Sequence, residues 1–272
     1  MELDAAKARK WIDTEPDLII KAIKEKIIAN VHYVSASEFR ASLIEATVMA
    51  FGQLKGEYAV IWDYKPNSSK RWVYHQIKSI LHRYQKPAYA GYYTQSVDNI
   101  LGVGMKLEQK GVQNIVVFDD AAYTGMQLMS RIIEPLSKYY TSKRRPIHFF
   151  IVVPYATSDA LEKFASFRES NHADLGVFYV HIMKTLLDIL SKPEFEYLRK
   201  SNREELSVYK GATLTYFDHR VADSFSFFEE VAKLMNKTPK PYAKGDSAYS
   251  REEEAEWQLY WQKYLDILKK ED

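Results

Sequence analysis

The stretch from Asn114 to Leu128, N-I-V-V-F-D-D-A-A-Y-T-G-M-Q-L, constrains this chain more than any other. Ile115 to Phe118 form an uninterrupted apolar run of the kind that makes a buried parallel strand. Two acids follow, Asp119 and Asp120, and then a short small-residue loop, Ala121, Ala122, Tyr123, Thr124 and Gly125. Apolar residues resume at helical spacing with Met126, Leu128, Met129, Ile132 and Ile133. A strand, a pair of carboxylates, a tight loop and a helix start leave few folds open. The order is that of an α/β crossover, in which ligands meet the carboxyl ends of the strands. A loop opening a helix aims backbone N–H groups and a hydroxyl at an anion, with the helix dipole adding attraction. The carboxylates cannot share that anion. They suit ribose hydroxyls, or a Mg²⁺ ion near them. Phosphate at one end and a diol at the other describe a ribose 5-phosphate. A buried strand ending in an N-capping acid is the plainer alternative, and it leaves Thr124-Gly125 at this spacing unexplained.

The same stretch resembles the phosphoribosyl-pyrophosphate (PRPP) motif of type I phosphoribosyltransferases: an apolar run, two acids, three variable residues and Thr-Gly. The D-D-x-x-Y-T-G form is similar to that of the pyrimidine-operon regulators. The resemblance implies a parallel sheet flanked by helices and transfer of ribose 5-phosphate from PRPP, with Mg²⁺. It makes Asp119 and Asp120 the catalytic and metal-binding pair. Ala121, Ala122, Tyr123, Thr124, Gly125 and Met126 become the 5-phosphate cradle. The 6-oxopurine enzymes carry an Asp at the place of Tyr123, and a tyrosine cannot replace that carboxylate. Neither hypoxanthine nor guanine is therefore assigned as substrate. The chain is also similar to the phosphoribosyltransferase-like proteins encoded in bacterial conflict and phage-defence loci.

The flanking sequence is consistent with an α/β core. Tyr58 to Asp63 is a strand, and a polar loop, Tyr64 to Lys70, leads into a helix marked by Trp72, Ile77, Ile80 and Leu81 and ending near Tyr84. In the phosphoribosyltransferases this loop holds the pyrophosphate of PRPP. Lys65, Asn67, Ser68, Ser69 and Lys70 supply suitable donors, although an ordinary solvated loop with a serine N-cap has the same composition. Pro87 to Tyr93 reads as a short strand and Gln95 to Gln109 as a helix. The family's closing loop is expected within Tyr92 to Gly104, where Gly91, Gly102 and Gly104 permit motion, with Lys106 pointing inward. The run from Ile147 to Val153 reads as a buried strand with His148 as a core histidine. At its end Tyr155, Thr157 and Ser158 fall near the expected cleft, or cap the next helix. Gly176 to Ile182 is a further strand, Met183 to Leu190 and Glu194 to Arg199 are helical, and Thr213 to Phe217 is a strand.

The ends read differently. Residues 1–56 form a helical cap, with a start at Asp13 or Thr14 before Pro16 and a second at Ser35, in capping-box register with Glu38. Residues 57–235 form the core. Its late segment, Asp218 to Phe225, resembles the base-binding segment of the hypoxanthine–guanine enzymes, which makes His219, Asp223 and Phe225 base contacts. A surface loop anchored by Phe225 is the alternative. Residues 236–272 comprise a basic linker and an amphipathic helix, 250–268, whose stripe of Trp257, Tyr260, Trp261, Tyr264 and Leu268 suits the core, a second subunit or a protein partner.

Composition removes several classes. The 272 residues carry 38 Lys+Arg against 36 Asp+Glu, a net charge of +2, which argues against a nucleic-acid surface. There is no cysteine, so disulfides, thiolate metal sites and a cysteine nucleophile are excluded. No apolar run approaches membrane-spanning length and the N-terminus lacks a signal-peptide pattern, so a cytoplasmic protein is expected. The resemblance implies a phosphoribosyl-transferring or nucleotide-cleaving enzyme; the alternative is a non-enzymatic sensor of PRPP or nucleotide, or a defence-system effector, that acts through a protein partner.

Overall fold

A computed structural model describes residues 3–63, 69–84, 87–93, 97–171, 174–201, 212–217, 231 and 233–235. The chain opens with α1 (Ala5–Asp13) and α2 (Leu18–Ala29), each started by an aspartate. Asp4 accepts from the backbone N–H groups of Ala6 and Lys7, and Asp17 from those of Ile19 and Ile20. The second helix therefore begins beyond Pro16, not at Asp13 or Thr14, which end α1. Asp17 prevails because its carboxylate satisfies two otherwise orphaned N–H groups. A short strand, β1 (His32–Val34), precedes α3 (Ala36–Gln53), whose N-cap is Ser35 as the sequence predicts.

The central sheet is built from β2 (Tyr58–Asp63), β3 (Tyr89–Tyr93), β4 (Asn114–Phe118), β6 (His148–Val152) and β8 (Asp174–Phe178). All its pairings are parallel, in the order β3-β2-β4-β6-β8. The connecting helices are α4 (Ser69–Tyr84), α5 (Val97–Gln109) and α8 (Ser158–Asn171). Between β4 and β6 the chain runs through α6 (Met126–Leu128), a π-helical turn (Met129–Ile133) and α7 (Glu134–Ser142).

Strand alternation divides the core into two layers. Ala59, Ile61, Ile115, Val117, Phe149 and Ile151 face α5, α7 and α8. Tyr58, Val60, Val116, Phe118 and Val152 face α3 and α4. Phe149 is 1% exposed, and truncating such a residue to alanine costs about 3–5 kcal/mol. A third cluster lies apart from the sheet layers. It joins Ile20, Ile23 and Ile27 of α2 to α9 (Leu186–Ile189), α10 (Lys192–Lys200) and β10 (Thr215–Phe217). β10 pairs in parallel with β1, tying the first residues of the chain to residues near 215.

Three further expectations are corrected. Most of the span assigned to a closing loop, Tyr92 to Gly104, is regular: β3 runs to Tyr93 and α5 starts at Val97. Gly104 serves packing. A Cβ there would lie 3.1 Å from Leu136 Cδ2 and from Tyr139 Cδ1, so the glycine lets α5 and α7 approach. Lys106 is exposed rather than inward, because the buried face of α5 is set by Ile100, Val103 and Leu107. His148 is not a core histidine: its side chain is 36% exposed and its Nδ1 lies 2.5 Å from Asp174 Oδ2.

Candidate functional site

Three neighbouring strands bend at the same level, and the bend builds the site. β4 gives way to β5 (Ala121–Ala122), β6 to β7 (Tyr155–Ala156) and β8 to β9 (His181–Ile182). These short strands form a second parallel sheet in the order β5-β7-β9, continuing the carboxyl end of the first. Asp119 and Asp120 occupy the first bend. The Asp119 N–H still donates to Val152 O at 3.1 Å, so the acids begin where the main ladder ends.

Both acids are deeply placed, Asp119 at 5% and Asp120 at 1% exposure. Asp119 Oδ2 lies 2.8 Å from Lys70 Nζ, an ion pair whose side chains are 8% and 5% exposed. Asp119 Oδ1 accepts from the Asp120 N–H at 3.1 Å. A buried charge is tolerable only when paired and hydrogen-bonded, and both conditions hold for Asp119. Lys70 sits in the first turn of α4, immediately after the loop following β2. The end of β4 is thereby clamped to the start of the helix on its neighbouring strand.

Ala121 and Ala122, read from the sequence as loop, are strand residues with buried side chains. The turn proper is Tyr123, Thr124 and Gly125. The Thr157 hydroxyl donates to Tyr123 O, and the Thr157 N–H donates to Ala122 O at 3.0 Å. Thr157 Oγ1 also accepts from the Ala160 N–H at 3.1 Å, capping α8. Thr157 and Tyr155 are both 0% exposed, so they brace the turn and do not line an open cleft. The Thr124 hydroxyl is half-buried and accepts from the Met126 N–H at 3.4 Å. Gly125 has φ +66°, the left-handed region that side chains avoid. A Cβ on it would lie 3.1 Å from the Phe164 ring. The loop is thus pinned from below by Thr157 and Phe164 while Met126 beyond it is exposed.

Beside the bend lies a polar cluster the sequence did not reveal. Ser42 of α3 lies 2.9 Å from His181 Nε2 and donates to Glu38 O at 3.0 Å. The Tyr155 ring stacks on His181 at 4.8 Å and on Phe39 at 6.3 Å. Burial pushes the Tyr155 hydroxyl well above the usual phenol range, with the Ser42 hydrogen bond opposing. Four-residue spacing on α3 puts Glu38 and Ser42 on one face. The meeting of Ser42 with His181, 139 positions away, has no local signature.

Among the other residues singled out from sequence, Ser69 begins α4. Lys65, Ser68, His219, Asp223, Phe225 and the 250–268 helix lie outside the described residues. Among the described residues no group of three or more acids or histidines is arranged to hold a metal by itself. Mg²⁺ commonly takes one or two carboxylates and completes its shell with water and substrate phosphates. The Asp119–Asp120 donor set fits an ion held in that shared way, not a cage of protein ligands. No described helix is long and apolar enough to cross a membrane.

A family model described as PRTase-CE matches residues 9–245. No curated protein matches the chain.

Proposed function

The chain belongs to the PRTase-CE family, a phosphoribosyltransferase-like family, and on that premise we propose that it binds PRPP, or the 5-phosphate of a nucleotide, at the carboxyl end of β4. The reaction proposed is transfer or cleavage of the ribose 5-phosphate group at a nucleobase-type substrate. One observation carries the reading. Two carboxylates stand at the end of the central strand, two residues before a turn that Gly125, in a left-handed conformation, leads into a helix.

In this reading Thr124 and the backbone from Ala121 to Met126 receive the 5-phosphate. Asp119 and Asp120 accept hydrogen bonds from the ribose hydroxyls and hold Mg²⁺ jointly with the donor. When bound, that ion neutralises charge on the leaving pyrophosphate. The pyrophosphate is assigned to Lys70 in this reading, the role that the resemblance also gives to Lys65, Ser68 and Ser69. The chain's own contribution is positioning and fixed charge: carboxylates beside a ribose that becomes cationic, and ammonium groups beside a leaving anion.

The test is calorimetric titration of PRPP with Mg²⁺ into the wild type and the Asp119→Asn, Asp120→Asn double variant. Binding by the wild type that is lost in the folded variant is the expected result. A folded wild type that binds neither PRPP nor nucleotide refutes the reading. Turnover with a panel of bases, read as pyrophosphate release, then separates an enzyme from a sensor.

A further inference from the structure

The Lys70–Asp119 pair joins two halves of the site that are expected to act on opposite ends of the same donor. It is also a contact whose partners a diphosphate would exchange. Lys70 belongs to the element that follows the β2 loop, and Asp119 to the end of β4. With an N–O separation of 2.8 Å and both side chains under a tenth exposed, the ammonium neutralises the carboxylate that the diol and metal would use. The second Asp119 oxygen is held by the Asp120 N–H. As a pair, Lys70 and Asp119 present no net charge to a ligand.

We propose that this ion pair is an exchange latch. Lys70 neutralises Asp119 while the site is empty and moves to the diphosphate when one arrives, releasing the carboxylate for the ribose diol. The proposal rests on the reading that the site takes PRPP. A lysine suits such an exchange because its charge is compact and its four-carbon stem is flexible. The bidentate grip of an arginine would not yield as readily. Leaving a buried carboxylate unpaired carries a heavy desolvation cost, so Lys70 departs only as new partners reach Asp119. Occupancy of the pyrophosphate end and of the diol end are thereby coupled, which favours the intact donor over either fragment.

The experiment is calorimetry of metal-free inorganic pyrophosphate, so that the Mg²⁺ role given to Asp119 does not enter, with the full chain as wild type, Asp119→Asn, Lys70→Met and the double variant, and PRPP with Mg²⁺ into the wild type alongside. Removing the Asp119 carboxylate breaks its contact with Lys70 in advance, so D119N binds pyrophosphate about tenfold more tightly, within the usual range of coupling between sites. K70M binds about tenfold more weakly. In the K70M background the D119N change has less than about a twofold effect. Should K70M fail to fold around an acid that has lost its ammonium, the double variant carries no buried charge at either position, and it should bind about a hundredfold more weakly than D119N. A D119N gain that persists without Lys70 would reveal simple charge repulsion and overturn the latch. So would a D119N loss matching that of K70M, which is the mark of a purely structural pair. If the wild type binds PRPP but the cycle shows no coupling, the latch alone falls. If it binds neither PRPP nor pyrophosphate, the latch falls, and if nucleotide also fails to bind, the phosphoribosyl reading falls with it.

Discussion

Gly125 offers a measurement in which backbone and packing costs separate. The perturbation is Gly125→Ala. Three glycines among the described residues have positive φ: Gly56 at +83°, Gly111 at +71° and Gly125 at +66°. A Cβ on Gly56 or Gly111 meets nothing within 4 Å, whereas one on Gly125 meets Phe164 Cζ at 3.1 Å and Cε2 at 3.3 Å. The left-handed conformation costs an alanine about 1–2 kcal/mol, offset in part by the stiffer unfolded chain. G56A and G111A should therefore each lose about 1 kcal/mol. G125A carries the same backbone cost. It must also displace a ring that is 1% exposed within the sheet layer. Overpacking of that kind adds roughly 1–2 kcal/mol, so G125A should lose about 2–3 kcal/mol, or roughly 4–10 °C in Tm.

Urea denaturation followed by circular dichroism reads the three variants on one scale. The Phe164→Leu change supplies the internal check. It costs stability in the wild type by opening space, and should cost about 1 kcal/mol less in the G125A background because the added methyl partly fills it. The reasoning is refuted if G125A is no more damaging than G111A, since the ring then yields freely and does not clamp the turn. If all three variants are neutral, the backbone argument itself fails.

Two further outcomes test other parts of the fold. Lys24 and Glu15 form an ion pair at 2.9 Å with side chains 5% and 1% exposed, and Lys24 Nζ also lies 4.6 Å from the Trp11 ring. Lys24→Met should cost about 3–5 kcal/mol in urea melts, and a Lys24→Met, Glu15→Gln double variant should recover much of it; an unchanged midpoint in the single variant would contradict that burial. Glu194 is held down to about 2, first by the Lys26 ammonium and then by the Ser191 hydroxyl and N–H. Its folded pKa lies below the ordinary glutamate value of 4.5, so the bridge contributes fully above that pH and its contribution drains as pH falls toward about 2. The stability gap between wild type and Glu194→Gln should be under about 1 kcal/mol, given the half-exposed lysine, flat in the neutral range and closing across that window; a gap that instead grows on acidification would reverse the sign.

What the sequence made legible was local and periodic. The apolar runs ending at Asp63, Phe118 and Val153 contain the core strands because strands buried on both faces need unbroken hydrophobicity. The acid pair and Thr-Gly stood out because each residue is unusual for its place. Ser35 was legible as a helix start because its capping partner lies three residues on. The rest lay in contacts without a period. Two-residue strands such as β5, β7 and β9 are too short to show alternation, and the pairing of β1 with β10 joins positions about 180 residues apart. The π turn at Met129–Ile133 keeps the apolar spacing of the helix around it. Gly102 and Gly104 suggested motion because a sequence does not show that Leu136 and Tyr139 press on one of them.

Lys70 shows most clearly where sequence reasoning stops. A lysine at the end of a polar loop reads as a donor facing solvent and ligand, and composition supports nothing else. Only the parallel pairing of β2 with β4 brings the start of α4 beside the end of β4 and sets the ammonium on Asp119. A residue assigned from sequence to one end of a substrate is thereby found holding the carboxylate assigned to the other end. Under the latch proposed above the two ends are coupled, because a ligand that draws Lys70 away from Asp119 separates two opposite charges at a depth where that separation is costly.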